Sequence, residues 1–315
     1  MKNPLVTVAV ASYNNADYLV DTLESIRQQD YPNWELIVVD DCSRDASVAV
    51  AGQWLAAHPK VRGRIVENAT NLGICGTFNH SIRLAKGEYY SLIGSDDLYM
   101  PDKLSRQVAA LEALPEEYGL VYGDITNIDE QGRTLHGEAQ VRDNLPRPEG
   151  DVYLDVLREN FIPAMGQLMR LSVFNKIDPF DETLAYEDWD MWLRLTRVFK
   201  VKYLPGVVAR YRLHERSVSV ARRQQLVESS LRLLEKQTGQ DPVADRLIGE
   251  HMARYAEALA WSGNPEASHW LRRALALRPQ LRPAGLLAIT ASGLSLPQVH
   301  RWYRALRGRP DATAG

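Results

Sequence analysis

Between residues 5 and 125 the chain repeats one unit, and no other feature narrows its fold more. An apolar run is followed by a polar cluster, then by a stretch with apolar residues at helical spacing. "LVTVAVAS" (5–12) predicts a buried strand, and "ADYLVDTLESIRQQ" (16–29), with Leu19, Leu23 and Ile26 in phase, predicts a helix. "ELIVVDD" (35–41) reads as a second strand, residues 46–57 as a helix and "RIVE" (64–67) as a short strand. The loop "NATNLGIC" leads to a helix around Phe78, Ile82 and Ala85 that Gly87 stops. "YYSLIG" (89–94), a helix opened by Pro101 and "GLVYGDI" (119–125) continue the alternation. Apolar strands alternating with amphipathic helices imply an α/β fold, a mainly parallel central sheet with helices on both faces.

In such sheets ligands bind beyond the carboxyl ends of the strands. Three strands end in polar clusters there: Ser12-Tyr13-Asn14-Asn15, Asp40-Asp41 and Ser95-Asp96-Asp97. Adjacent carboxylates repel, so Asp96 and Asp97 call for a cation, a proton or a solvent-facing turn to offset them. An isolated pair would suit the turn. At a strand end, in a sheet whose other strands also end in acids, a divalent hard cation is the better reason. Mg2+ or Mn2+ takes oxygen ligands and bridges one or two carboxylates to a diphosphate. The glycine fingerprints of dinucleotide-binding and P-loop proteins are absent from the sequence.

The remaining sequence divides into three. Residues 126–165, rich in Gly, Pro and charge, read as an exposed excursion, and residues 180–205 as an acidic turn leading into a helix with Trp189, Trp192, Leu193 and Leu195. On that helix Asp190 is expected at the surface. A strand at 207–219 ends in a polar loop with His214, after which helices are expected near 221–238, 243–262 and 265–277, the last with Asn264 as cap and Pro265 as first residue. A boundary near 220 gives domains 1–219 and 220–315. Cys42 and Cys75 have no metal-ligand spacing and read as buried or half-buried thiols of a reducing cytosol. The net charge of −3 hides an asymmetry, since residues 267–310 carry eight arginines and no Asp or Glu. That composition suits either an interfacial element with Trp302 and Tyr303 on an anionic leaflet, or a helical cap with a solvated basic face. No stretch approaches the roughly 20 apolar residues of a spanning helix, and the N-terminus lacks the signal-peptide pattern.

The blocks "VTVAVASYNNADYLVDTLESIRQQDYPNWELIVVDDCSRDAS", "NLGICGTFNHSIRLAKGEYYSLIGSDDLYMPDKL" and "YEDWDMWLRL", in this order, resemble glycosyltransferase family 2 and its GT-A fold over residues 4 to about 215. The resemblance implies an inverting transfer of a sugar from a nucleoside-diphosphate sugar, with a UDP-sugar favoured, to an acceptor hydroxyl with Mn2+ or Mg2+. It makes Ala11, Ser12 and Tyr13 the edge that touches the nucleoside, and Asp41 the acceptor for the base N–H, though an Asp there also suits a helix cap. Asn71, Gly73 and Asn79 fall in the block beside the donor. Asp97 matches a direct metal ligand and Asp96 a group that faces the ribose or reaches the metal through water, while Gly94 replaces a further acid found in many relatives. Asp188 matches the general base, with Glu187 as the alternative; His214 stands where relatives place a metal or phosphate contact. The implied partners are the donor and a lipid-linked or surface glycan acceptor, without nucleic acid, in the cytoplasm and peripherally at the membrane. A polyprenyl phosphate acceptor and a noncatalytic nucleotide-sugar binder are the alternatives.

Overall fold

β1 (Val6–Ser12) is buried along its whole length, as a strand covered on both faces must be. It pairs in parallel with β2 (Trp34–Asp40), which pairs in parallel with β3 (Gly63–Glu67), while β4 (Tyr89–Gly94) lies parallel on the other side of β1. The connections are α1 (Ala16–Arg27), α2 (Ser47–Ala57) and α3 (Gly73–Leu84). Leu19, Leu23 and Ile26 of α1 are fully buried, each contributing about 1.5–3 kcal/mol relative to exposure.

The computed structural model describes residues 3–135, 147–214, 223–292 and 296–298. β5 (Leu98–Tyr99), α4 (Lys103–Glu112), β6 (Tyr118–Ile128), α5 (Tyr153–Arg158), β7 (Gln167–Arg170), α6 (Asp188–Thr196) and β8 (Lys200–Arg212) complete an eight-stranded sheet of order β3-β2-β1-β4-β7-β6-β8-β5. The mainly parallel sheet with helices is as expected, with two departures. β7 inserts antiparallel between β4 and β6, and β8 begins at Lys200, earlier than 207, running parallel to β6 across a register shift. The reading of residues 126–165 as an exposed excursion is corrected by the burial of its second half. Val152, Val156, Leu157, Phe161 and Ile162 are buried, and the indole nitrogens of Trp189 and Trp192 donate to Val156 O and Ile162 O (2.8 and 3.0 Å). Residues 136–146 lie outside the described residues. Asp190 also departs from expectation: it is 1% exposed and ion-paired with Arg194 at 2.8 Å. Cys42 is exposed, whereas Cys75 is buried.

The chain divides into two compact units, Met1–Ser217 and Val218–Gly315. The second contains α7 (Arg223–Lys236), α8 (Pro242–Ser262), α9 (Ala267–Leu277) and α10 (Leu281–Ala291). α8 has Asp241 as its cap, accepting from Val243 N, and ends at Gly263 with φ 76°. α9 starts at Ala267, later than Pro265, because Asn264 Oδ1 accepts from Glu266 N and holds a turn first. Arg273, Arg278 and Arg282 pair with Glu235, Glu250 and Glu257, so part of the basic run is balanced inside this unit. Trp302, Tyr303 and the arginines from 301 to 309 lie outside the described residues. No helix among the described residues is long and apolar enough to cross a membrane.

Candidate functional site

Strand register brings the polar clusters to one edge. Ser12 is level with Asp40, and Ala11 with Gly94. Asp41 N donates to Ser12 O at 2.8 Å and Ser95 N to Ala11 O at 3.0 Å, so the three strand ends turn outward together. Asn14 and Cys42 take positive φ (53° and 64°) at two of these turns. The loops are sewn to each other: Arg44 N donates to Asn14 Oδ1, Asn14 N to Ser43 Oγ, and Ala16 N to Asp45 Oδ2. Tyr13 stands on this edge 39% exposed. Ser12 Oγ is buried and has no hydrogen-bond partner among the described residues.

Asp41 serves as a helix cap, though not for the helix that follows it. Its Oδ1 accepts from Leu72 N (2.7 Å) and Asn68 Nδ2 (2.9 Å), its Oδ2 from Gly73 N (2.9 Å), and Asn71 Nδ2 reaches its carbonyl oxygen at 3.1 Å. The carboxylate thus stabilises the start of α3. Gly73 has φ 73°, a conformation that suits glycine at this turn. An ionised carboxylate offers about four lone-pair sites, so one remains for a ligand N–H. Asp40 spends both oxygens on Ser43 and supports the turn.

Beyond β4, Asp96 and Asp97 have different surroundings. Asp96 is 20% exposed and accepts from His214 Nε2 at 2.9 Å. Asp97 is buried and accepts from Arg212 N at 2.9 Å. Burial, then the Asp96 charge, pushes the Asp97 carboxyl well above the usual carboxylate range. Gly94 explains the arrangement of its neighbour: a Cβ there would lie 2.7 Å from Asp96 Oδ1, so the space of an absent side chain is filled by Asp96. No group of three His, Cys, Asp or Glu able to hold a metal occurs among the described residues. Sequence reasoning missed Arg212, which is 1% exposed. It donates from Nε to Asp96 O (2.7 Å) and from Nη1 to Glu130 O (2.8 Å), and it stacks on Tyr18, whose ring lies 5.0 Å from that of His214. No local signal singled it out, since Arg210 stands two residues earlier in the same strand.

Glu187 and Asp188 open α6. Asp188 accepts from Asn160 Nδ2 (2.8 Å), another residue the sequence did not flag, and from Trp189 N (2.7 Å). Burial, with the Asp188 charge beside it, pushes the Glu187 carboxyl up to about 8. When ionised, Glu187 adds to the upward push on Asp97. Asn79 is engaged by the segment that leads to this pair. Its Nδ2 donates to Phe180 O (2.8 Å) and Glu182 Oε1 (2.9 Å), and its Oδ1 accepts from Phe180 N (2.9 Å).

Comparison with known proteins agrees with the architecture. The family profile described as Glycosyl transferase family 2 matches residues 7–177. An uncharacterized glycosyltransferase of Rickettsia typhi is 32% identical over 228 residues, which is 72% of this chain and 69% of that protein. A Bacillus subtilis glycosyltransferase named for teichuronic acid biosynthesis, TuaG, is 29% identical over 69% of this chain and 82% of its own length. For three other Rickettsia relatives the match spans only 30–34% of their length. Among solved structures, the Pyrobaculum calidifontis mannosyltransferase PcManGT in complex with GDP-Man and Mn2+ superposes with a TM-score of 0.62 at 23% identity, over 96% of this chain and 84% of its own. S. aureus TarS 1–349 in complex with UDP-GlcNAc superposes with a TM-score of 0.66 at 17% identity, over 90% and 83%. At these identities the two structures speak for the fold.

Proposed function

The chain belongs to glycosyltransferase family 2, and from that premise we propose that it is a metal-dependent inverting transferase moving a sugar from a nucleoside-diphosphate sugar, with a UDP-sugar favoured, to a hydroxyl of a surface-polysaccharide glycan. The observation that carries this reading is the gathering at one sheet edge of Asp41, the Asp96–His214 pair and Asp97. The acceptor class rests on TuaG, whose name assigns it to teichuronic acid biosynthesis. Support for a metal comes from the donor set and from the Mn2+ in the PcManGT complex. Asp96 Oδ2 and His214 Nε2, 2.9 Å apart, would hold a Mn2+ or Mg2+ ion if the imidazole gave up its hydrogen bond to the carboxylate. When bound, such an ion neutralises charge on the departing diphosphate. This assignment moves the direct ligand from Asp97 to Asp96 and leaves Asp97 to fix the loop.

In the transfer, the acceptor oxygen forms a bond to the sugar C1 as the C1–O bond to the diphosphate breaks, and Asp188 takes the hydroxyl proton. Asn160 orients Asp188 for this role. Glu187, its carboxyl pushed up, holds a proton at neutral pH and keeps a second negative charge away from the base. The donor-binding role of Asp41 uses its remaining lone pair for the base N–H.

Incubation with UDP-GlcNAc, UDP-glucose and GDP-mannose plus Mn2+, with a glycan acceptor panel, should release nucleoside diphosphate from one donor. Asp188→Asn should bind UDP as the wild type does and lose transfer by about a thousandfold. Binding without release by the wild type would overturn the transferase reading. Near-normal transfer by Asp188→Asn would instead indicate an acceptor that is already anionic, such as a polyprenyl phosphate.

A further inference from the structure

We propose that Asn79 is a positioning residue: acting from the middle of α3, it sets the segment carrying Asp188 in register with the donor end of the site. The inference rests on the transferase reading above and adds a mechanical link between its two halves.

One face of α3 is given over to the chain segment that precedes the base. Residues 75, 76, 78 and 79 share that face, since positions three and four apart are neighbours on a helix. Cys75 Sγ donates to Leu184 O at 3.7 Å, and the rings of Phe78 and Phe180 lie 6.0 Å apart. At Gly76 even a Cβ would come within 3.7 Å of Glu182 Cδ. Asn79, 7% exposed, makes the specific contact, with its three hydrogen bonds to Phe180 and Glu182. Its planar amide offers a donor and an acceptor to the N–H and C=O of a single residue, as a neighbouring strand would. Aspartate would set a lone pair against Phe180 O and a charge against Glu182, while an apolar residue would leave buried backbone groups unpaired. Three residues after Leu184 the chain reaches Glu187.

The other end of α3 is held by Asp41, through Leu72 N and Gly73 N. Between Gly73 and Asn79 the helix rises about 9 Å, a short and stiff span. A single helix is therefore fastened at one end by the carboxylate placed at the donor base and at its middle by the segment holding the general base. A displacement of α3 moves both together. Misplacing a base by about 1 Å costs on the order of a hundredfold in rate.

The test is Asn79→Ala, with three readouts. UDP affinity in the presence of Mn2+, by calorimetry, should stay within about threefold of wild type, while kcat falls about a hundredfold with little change in donor KM. Amide hydrogen exchange should quicken across residues 180–188 and stay unchanged at the start of α3. Loss of UDP affinity in step with kcat would overturn the proposal by making Asn79 a donor contact, and unchanged kcat would overturn it directly. A wild-type protein that turns over no donor would sink the transferase reading alone; the exchange measurement would still decide on Asn79, against it if 180–188 exchange as in wild type. If Asn79→Ala does not fold, Glu182→Ala, at an exposed position, removes one of the three bonds and should lower kcat about tenfold. No change in kcat or exchange in that variant would overturn the proposal.

Discussion

At the scale of single residues, neighbouring acids of identical type have been given different states by their surroundings. Asp96 is open and bonded to His214, Asp97 is buried with its carboxyl pushed up, and Glu187 is pushed up beside Asp188. The presence of these acids was legible in the sequence, and their division of labour was not. Burial and partner geometry decide it, and both come from chain segments about a hundred residues away, as with Arg212 and Asp97. Glu187 offers a direct check. Its carboxyl moves from an ordinary 4.5 up to about 8 in the folded protein, so the native state binds more protons than the unfolded state between those values. Its contribution to stability is complete below 4.5 and is lost as pH rises towards 8. Glu187→Gln, which stays neutral, should therefore gain thermal stability relative to wild type as pH rises through this window. Melting curves across the window test this, and a constant difference would contradict the shift. The same variant should retain transfer at neutral pH, where Glu187 is already protonated.

At the scale of elements, periodicity found β1, β2, β4, α1, α3 and α6 because each is long enough to show its period and is buried on the expected face. β7 has four residues and no alternation of its own, and its place between β4 and β6 comes from what it pairs with. Polar side chains buried between helix and sheet were equally silent in sequence. Lys103 is fully buried, its amine pushed well below the usual range by burial. It donates to Ser91 Oγ, Gln107 Oε1 and Gln167 O, tying α4 to β4 and β7. α3 depends on a cap 31 residues away in sequence, beyond the reach of any local motif. Asp41→Ala leaves Leu72 N and Gly73 N without their acceptor, takes one of two acceptors from Asn68 Nδ2, and should cost about 3 kcal/mol in denaturant unfolding. Asp41→Asn keeps one acceptor oxygen and should cost less. Equal stability of Asp41→Ala and wild type would remove the capping role.

At the scale of the whole molecule, the family match ends at residue 177, while β8 of the same sheet runs on to Arg212 and supplies the Asp96 and Asp97 contacts. The first compact unit closes at Ser217. A chain ending there should fold and bind UDP with Mn2+ as the full chain does, measured by circular dichroism and calorimetry. Failure to fold would assign the helical unit a structural duty towards the first. The sequence by itself determined the alternation that makes a mainly parallel sheet, the edge to which the polar clusters are delivered and the family whose chemistry they suit, because strand and helix periods and strand-end positions are local properties. Only the tertiary structure decided that Asp96 pairs with His214, that Asp97 is buried against Arg212, that Asp41 caps a distant helix and that Asn79 grips the segment before Asp188. These depend on which distant groups meet at a buried point, where an unpaired polar atom is costly and each partner must therefore be supplied by the fold.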